Sequence, residues 1–370
     1  MILAFLDELV ALWAPLGALQ SLAARAGLAA ILGFVCALAF GPRLLRYLNG
    51  KQVIETTDCT DSEQLNTINR SKPKTPTMGG IMIVGAVLAA GVICGDLSNS
   101  YVLLAILSTV GYGLIGMIDD WVKLTHPGKK GLQAATKAGL QILIAAALAF
   151  VVTRIFQKQP VPELLWLHVP FSDLAIDLSG LGGLPHMLFV MVVVIGTSNA
   201  VNLTDGMDGL APGALIVAAV AMAAVSFAVG RAESLQLDLL YVPRAQEMTV
   251  FCAGMAGATL GFLWFNAPPA LVFMGDTGSL PLGSLLGYVA VVTKHELVLF
   301  IIGGVFVLEA FSVMTQVGYF KFSGGKRVLR CAPLHHHYQF GGMPETRIVV
   351  RFWILGALFA AAGLASLAVQ

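Results

Sequence analysis

The sequence predicts an all-α integral membrane protein with about ten transmembrane helices, and three observations lead to that prediction. Of the 370 residues, 57% are apolar and only 12% are charged, which is about half the charged fraction of soluble domains. Apolar runs long enough to cross a bilayer recur along the whole chain. These runs show no strand-like alternation, so we expect each to satisfy its backbone hydrogen bonds within a helix.

The limits of the apolar runs place the predicted spans. In chain order they cover 24–45, 79–95, 101–118, 133–156, 183–200, 210–229, 248–265, 279–293, 297–320 and 348–369. Residues 3–15 are also apolar, but 1–24 contain no Lys or Arg for the basic start of a signal peptide, so we expect an interfacial helix there. No repeat or linker interrupts the series, which predicts one domain over 1–370.

The basic residues predict the orientation of the spans. Cytoplasmic loops retain Lys and Arg, and the odd-numbered loops of this chain carry most of them. We therefore expect the odd loops on the cytoplasmic face and both termini in the periplasm. The net charge of +1 does not indicate nucleic-acid binding. The five cysteines show no paired metal-ligand spacing, which predicts structural roles for Cys36, Cys59, Cys94, Cys252 and Cys331.

Acidic residues lie at the ends of two predicted spans. The third span is followed by two adjacent carboxylates, Asp119 and Asp120. They repel each other and oppose the negative end of the helix dipole, so a bound cation explains them better than capping does. Asp276, just before the eighth span, is a helix cap, a third ligand, or both. Because Mg²⁺ prefers a few carboxylates together with substrate phosphate, all three are candidate metal ligands.

Three further cytoplasmic loops carry candidate binding groups. The fifth loop has Asp-Gly steps at Asp205 and Asp208 and no Lys or Arg, which favours ligand contact over a simple turn. The ninth loop has consecutive histidines at 335–337 beside basic residues, which fits phosphate binding or proton handling better than zinc. The stretch from Lys74 to Gly80 either binds an anion or combines positive-inside charge with a glycine-lined helix contact.

At these loops the sequence resembles the polyprenyl-phosphate N-acetylhexosamine-1-phosphate transferases. The resemblance rests on five motifs in order: Pro-Thr-Met-Gly-Gly at 76–80, Asp-Asp at 119–120, Asn-Leu-Thr-Asp-Gly-Met-Asp-Gly at 202–209, Phe-Met-Gly-Asp-Thr-Gly-Ser at 273–279, and Pro-Leu-His-His-His-Tyr at 333–338. The triple histidine is typical of the branch that transfers phospho-N-acetylmuramoyl-pentapeptide.

The resemblance implies a reaction and a setting. The donor would be UDP-N-acetylmuramoyl-pentapeptide and the acceptor undecaprenyl phosphate, and the products would be lipid I and UMP. It also implies ten transmembrane helices, a homodimer, Mg²⁺ as cofactor, and a site on the cytoplasmic face of the bacterial inner membrane.

The resemblance and the loop chemistry together assign candidate roles. Asp276 is expected to ligate Mg²⁺, and Asp119 and Asp120 to act on the metal or on the lipid phosphate. Direct attack and a covalent aspartyl-phosphate both remain open. The candidate partners of phosphate are Lys74, Lys123, Lys137, His335, His336 and His337. The candidate contacts to the donor are Asn202, Asp205, Asp208, Asn266, Phe273 and Gln316, with Phe273 stacking on uracil.

Two other functions compete with this assignment. One is transfer of N-acetylglucosamine phosphate from its UDP carrier to the same lipid. The other is a lipid or nucleotide-sugar transporter, which predicts polar clusters at mid-membrane depth and inverted repeats. The acids of this chain instead collect at the predicted cytoplasmic ends, which favours an enzyme.

Two segments carry predictions of local structure. Glu309 is the one acid within the apolar ninth span and lies near Gly303 and Gly304. It marks either a break in that helix beside the lipid groove or a hydrogen-bonded structural glutamate. Residues 157–182 are predicted to be an outside loop, with a short hairpin as one option.

Overall fold

The computed structural model describes residues 10, 14–50, 75–126, 131–230 and 239–369. In these ranges the chain forms twelve α-helices and a two-stranded hairpin. The helices are α1 (Leu22–Gly50), α2 (Gly80–Cys94), α3 (Ser100–Thr125), α4 (Ala134–Gln157), α5 (Gly180–Thr204), α6 (Leu210–Val229), α7 (Met248–Asn266), α8 (Asp276–Thr293), α9 (Glu296–Ile302), α10 (Gly304–Phe322), α11 (Leu334–Gln339) and α12 (Glu345–Ala365). Short 3-10 helices cover Ala14–Gln20, Pro162–Leu165, Ala245–Glu247 and Ser366–Val369.

The protein is an all-α polytopic membrane protein, as predicted. In the described ranges, seven helices are long and apolar enough to cross a membrane. An eighth span results when α9 and α10, which meet at a bend of 85°, are counted together. The remaining predicted spans, 79–95 and 279–293, correspond to the shorter α2 and to α8. The count of ten spans and the side on which the termini lie stay predictions.

Helix α8 forms the centre of the bundle. All of its residues are buried, and it packs against α3 and α5. Gly283 faces α5 so closely that a Cβ there would lie 2.7 Å from the Cα of Ser198. Small residues permit such close helix packing in membranes. Because α8 faces protein and not lipid, it accommodates polar residues such as Ser284, whose hydroxyl lies 3.2 Å from that of Ser108.

A buried ion pair joins α1 to the start of α7 at the end of the bundle where α1 begins. The guanidinium of Arg25 donates to both carboxylate oxygens of Glu247, at 2.7 and 2.6 Å. It also donates to the carbonyl oxygen of Cys94 at 3.1 Å, and Glu247 accepts the N–H of Asp96 at 3.1 Å. The pair therefore fastens α1, the end of α2 and the start of α7 together.

Removal of one partner of this pair is expected to destabilise the fold. Glu247→Ala leaves a buried guanidinium without its carboxylate, which costs about 3 kcal/mol. We expect a lower melting temperature in detergent, and the double variant Arg25→Met/Glu247→Met should recover most of the loss because neither charge then remains buried. A melting temperature of Glu247→Ala equal to that of the unaltered protein contradicts this assignment.

The structure also tests several local predictions. Strand β1 (Trp166–His168) pairs antiparallel with β2 (Ala175–Asp177), which confirms the hairpin between 157 and 182. The bend between α9 and α10 confirms a break in the ninth span. The cysteines in the described ranges, Cys36, Cys94, Cys252 and Cys331, are free thiols, and Cys59 lies outside those ranges. The predicted interfacial helix over 3–15 also lies mostly outside them.

Candidate active site

The ends of α3 and α8 bring three carboxylates together. Asp119 and Asp120 lie in the last turns of α3, and Asp276 is the first residue of α8. One carboxylate oxygen of each lies within 4.8 Å of the others, and all three residues are buried. Gly116 makes this approach possible, because a Cβ there would overlap the carbonyl oxygen of Asp276. The predicted convergence of these separate acidic sites is therefore present in the fold.

Two lysines neutralise most of the charge of this carboxylate cluster. The ammonium of Lys123 lies 2.8 Å from Asp119 Oδ2, 3.5 Å from Asp120 Oδ1 and 3.4 Å from Asp276 Oδ1. Lys137, from α4, pairs with Asp276 Oδ2 and lies 3.9 Å from Asp119 Oδ1. Three carboxylates and two ammonium groups leave one net negative charge. The cluster thus attracts a cation, while both lysines can donate to phosphate oxygens.

Asp120 has a second role, because it caps the start of α8. Its Oδ2 accepts the backbone N–H of Thr277 at 2.9 Å and the Thr277 hydroxyl at 2.7 Å. Its Oδ1 accepts the N–H of Asp276 at 3.3 Å. The first N–H groups of a helix have no partner within it and favour negative charge. Asp120 is unsuited to cap its own helix end, as the sequence indicates, but it does cap another helix.

The cluster fits a divalent metal ion. Its ligand atoms are carboxylate oxygens, which suit hard cations such as Mg²⁺ better than zinc. Asn202 donates to Asp276 Oδ1 at 2.8 Å and to the Ser279 hydroxyl at 2.8 Å, so it fixes the direction of the Asp276 carboxylate. Asp119 Oδ1 accepts the N–H of Leu132 at 3.0 Å and is held in a similar way.

The loops after α5 and α7 are tied together beside the cluster. Asn266 is buried, accepts the N–H of Gly209 at 2.9 Å and donates to the carbonyl oxygen of Val272 at 2.8 Å. Asp208 Oδ2 accepts the N–H of Ala270 at 2.9 Å. Both side chains therefore hold loop backbone in place.

The loop after α7 also pairs with the stretch before α2. Phe273 is half-buried, and its backbone exchanges hydrogen bonds with Pro76 and Gly79, both at 2.8 Å. Asp205 is half-buried at the end of α5, where its N–H donates to the carbonyl oxygen of Asn202 at 3.2 Å. These contacts place both residues in the loops that border the cluster.

The three histidines of α11 have different polar partners, although the rings of His335 and His336 lie against each other, with centroids 4.2 Å apart. His335 is fully buried, with Nδ1 3.1 Å from Glu309 Oε2. His336 Nδ1 lies 2.9 Å from Gln339 Oε1, and His337 Nδ1 accepts the N–H of Arg330 at 3.1 Å. The carboxylate cluster includes none of them.

The comparisons with known proteins identify the family. A model of glycosyl transferase family 4 matches residues 102–294, which is just over half of the chain. The chain belongs to glycosyl transferase family 4. It is 43% identical over 345 residues to the phospho-N-acetylmuramoyl-pentapeptide-transferase of Thermodesulfovibrio yellowstonii, covering 93% of this chain and 92% of that protein. The enzymes of the same name from Rickettsia montanensis and Rickettsia canadensis are 42% and 43% identical over 350 residues, with the same coverage. The resemblance inferred from five motifs is thereby confirmed.

In this family 4 protein, the predicted site residues fall into three groups. The first is a single contact network of Asp119, Asp120, Lys123, Lys137, Asn202 and Asp276. The second comprises the residues of the bordering loops, Asp205, Asp208, Asn266 and Phe273. The third comprises His335, His336, His337 and Gln316. The Oε1 atom of Gln316 accepts the backbone N–H groups of Val328 and Leu329 at 3.2 and 2.8 Å. Lys74 lies outside the described residues. The individual roles of all of these residues remain predictions.

The structure adds residues to which the sequence assigned no ligand role. Thr277 and Ser279 hold Asp120 and Asn202 in place through their hydroxyl groups. Glu345, the first residue of α12, accepts the N–H of Asp208 at 3.1 Å. The Asp-Thr-Gly-Ser motif marks the first two, whereas no local pattern marks Glu345.

Proposed function

We propose that this chain transfers phospho-N-acetylmuramoyl-pentapeptide from its UDP carrier to undecaprenyl phosphate, giving lipid I and UMP. The observation that carries the proposal is 42–43% identity, over 93% of the chain, to enzymes named for this transfer. The concentration of basic residues in the odd loops supports the further proposal that the reaction takes place on the cytoplasmic face of the inner membrane.

The cluster supplies what this exchange of phosphate anhydrides requires. In the overall exchange, an oxygen of the lipid phosphate becomes bonded to the β-phosphorus of the donor, and UMP leaves with the electron pair of the broken P–O bond. Direct attack by the lipid phosphate and a covalent aspartyl-phosphate intermediate both give this result. The barrier is mainly the approach of two polyanions and the charge that develops on the leaving group. Mg²⁺ held by Asp119, Asp120 and Asp276 would offset that charge. Lys123 and Lys137 then orient phosphate oxygens through their ammonium groups.

An assay with two donors tests the proposal. Purified protein is incubated with undecaprenyl phosphate and either UDP-N-acetylmuramoyl-pentapeptide or UDP-N-acetylglucosamine, with Mg²⁺ or with EDTA. We expect a lipid-linked product and an equal amount of UMP only with the muramoyl donor and Mg²⁺, and recovery when Mg²⁺ is restored. A product from UDP-N-acetylglucosamine alone would support the sibling activity. Full activity in EDTA would remove the metal from the mechanism.

We also propose that the protein is a homodimer, as the family resemblance implies. The mass of the protein in its detergent complex, measured by light scattering, should correspond to two chains. A mass of one chain at the concentrations used for the assay contradicts this part of the proposal.

A further inference from the structure

Helix α10 carries two side chains that hold the loop leading to α11. Glu309 and Gln316 are separated by seven positions, about two helical turns, so they lie on the same face of α10. Glu309 accepts the N–H of His335 at 3.2 Å, and Gln316 accepts the N–H groups of Val328 and Leu329. We call residues 323–338 the histidine loop. Two points of this loop are therefore fastened to one helix.

The contact at Glu309 extends toward the carboxylate cluster. Glu309 and His335 are both fully buried, and a carboxylate at such a position in a membrane protein is costly unless it has partners. The ring of His335 lies against Gly206, where a Cβ would overlap Nε2. Gly206 belongs to the loop that follows Asn202, which holds Asp276. A chain of direct contacts thus leads from α10 to the loop beside the cluster.

We propose that Glu309 and Gln316 are positioning residues, which set the place of the histidine loop against the 202–209 loop. The expected change in rate rests on the proposed function, because that rate is measured in the proposed transfer reaction. Loss of either side chain releases loop backbone and displaces His335 from Gly206. A displacement of about 1 Å near reacting groups can lower a rate about 100-fold.

The chain offers a matched set of variants. Glu309→Ala and Gln316→Ala each remove one attachment, whereas Glu309→Gln keeps an oxygen that can accept the N–H of His335. The control is Glu296→Gln in α9, in the other half of the same bent span. Glu296 is also a buried glutamate, and its partner Lys294, at 2.9 Å, is buried as well, so loss of the Glu296 charge should lower the stability without releasing the histidine loop.

Cys331 reports directly on the position of the loop. It lies between the two attachment points and is a free, partly buried thiol. Burial raises the pKa of the Cys331 thiol above its ordinary value. Release of the loop should therefore speed its reaction with a water-soluble maleimide, which consumes the thiolate.

Labelling of the Cys331 peptide, followed by mass spectrometry, should be about tenfold faster in Glu309→Ala and Gln316→Ala. In Glu309→Gln and Glu296→Gln, the labelling rate of Cys331 should stay within about twofold of the rate in the unaltered protein. In the same series, kcat/KM for the donor should fall about 10- to 100-fold in the two alanine variants and change little in the two glutamine variants. Gln316→Ala, at a half-buried position, provides the test if Glu309→Ala does not fold.

Two results would overturn the inference. One is unchanged labelling and turnover in both alanine variants at an unchanged melting temperature. The other is a change in Glu296→Gln as large as in Glu309→Ala, because general destabilisation would then explain both. Inactivity of the unaltered protein with every donor would contradict the proposed function. The labelling rate of Cys331 would still decide whether α10 positions the loop.

Discussion

Asp276→Asn is expected to lower kcat/KM for the transfer reaction about 1,000-fold. The amide keeps the size of the side chain but loses the charge on which Lys123, Lys137 and Asn202 converge. It is also a poor ligand for a hard divalent cation compared with a carboxylate. The measurement is the initial rate of lipid-linked product formation at saturating Mg²⁺, with the melting temperature determined on the same sample.

The matched control for this change is Asp96→Asn. Asp96 lies at the opposite end of α2 from the cluster and pairs with Arg244 at 2.9 Å. Because that pair is exposed, its loss should leave both rate and stability nearly unchanged, within about twofold in rate. A rate for Asp276→Asn above one tenth of the unaltered rate would show that this carboxylate is not central to the reaction.

Gly116→Ala should produce the second large effect. The added Cβ would overlap the carbonyl oxygen of Asp276 and lie 2.7 Å from the N atom of Thr277. Both are backbone atoms that cannot turn aside, so α3 and the start of α8 must separate. We expect kcat/KM to fall about 100-fold because the carboxylates then move apart. Overpacking should also lower the stability by about 1–3 kcal/mol.

Gly139→Ala separates this effect from the general consequences of adding a methyl group. Gly139 lies within α4, and a Cβ there would meet no atom within 4 Å. Alanine favours a helix over glycine, so this variant should be active and at least as stable as the unaltered protein. Equal activity of the two variants would mean that the close approach of α3 to α8 does not assemble the cluster.

The apolar pattern alone predicted where the long helices lie. The predicted span 210–229 coincides with α6, and each of the other predicted spans has a helix at its position. The helix that extends furthest beyond its predicted apolar run is α3, because the run covers 101–118 and the helix continues to Thr125. Charged residues usually end an apolar run, but here Asp119, Asp120 and Lys123 are partners of one another and of Asp276. Their charges are therefore compatible with a continuing helix.

The chemistry of the site was predicted from residue type and from the one-sided placement of the loops. The contacts between residues that lie far apart in the sequence were not predicted. Asp120 and Thr277 are 157 positions apart, and no local pattern indicates that a carboxylate ending one helix will cap another. Glu309 was recognised as unusual because it is an acid in an apolar span. That His335 is its partner, and that Gln316 accepts hydrogen bonds from the loop backbone, could be seen only in the folded structure.

The central claim is that Asp119, Asp120 and Asp276 hold a divalent ion against the donor diphosphate. Electron paramagnetic resonance of bound Mn²⁺ tests this claim most directly. Mn²⁺ accepts the same oxygen ligands as Mg²⁺ and senses nearby phosphorus nuclei. We predict a bound-Mn²⁺ signal that gains coupling to ³¹P when the UDP donor is added, and that disappears in Asp276→Asn. A bound signal that is unchanged in Asp276→Asn, or that never couples to ³¹P, would contradict the account.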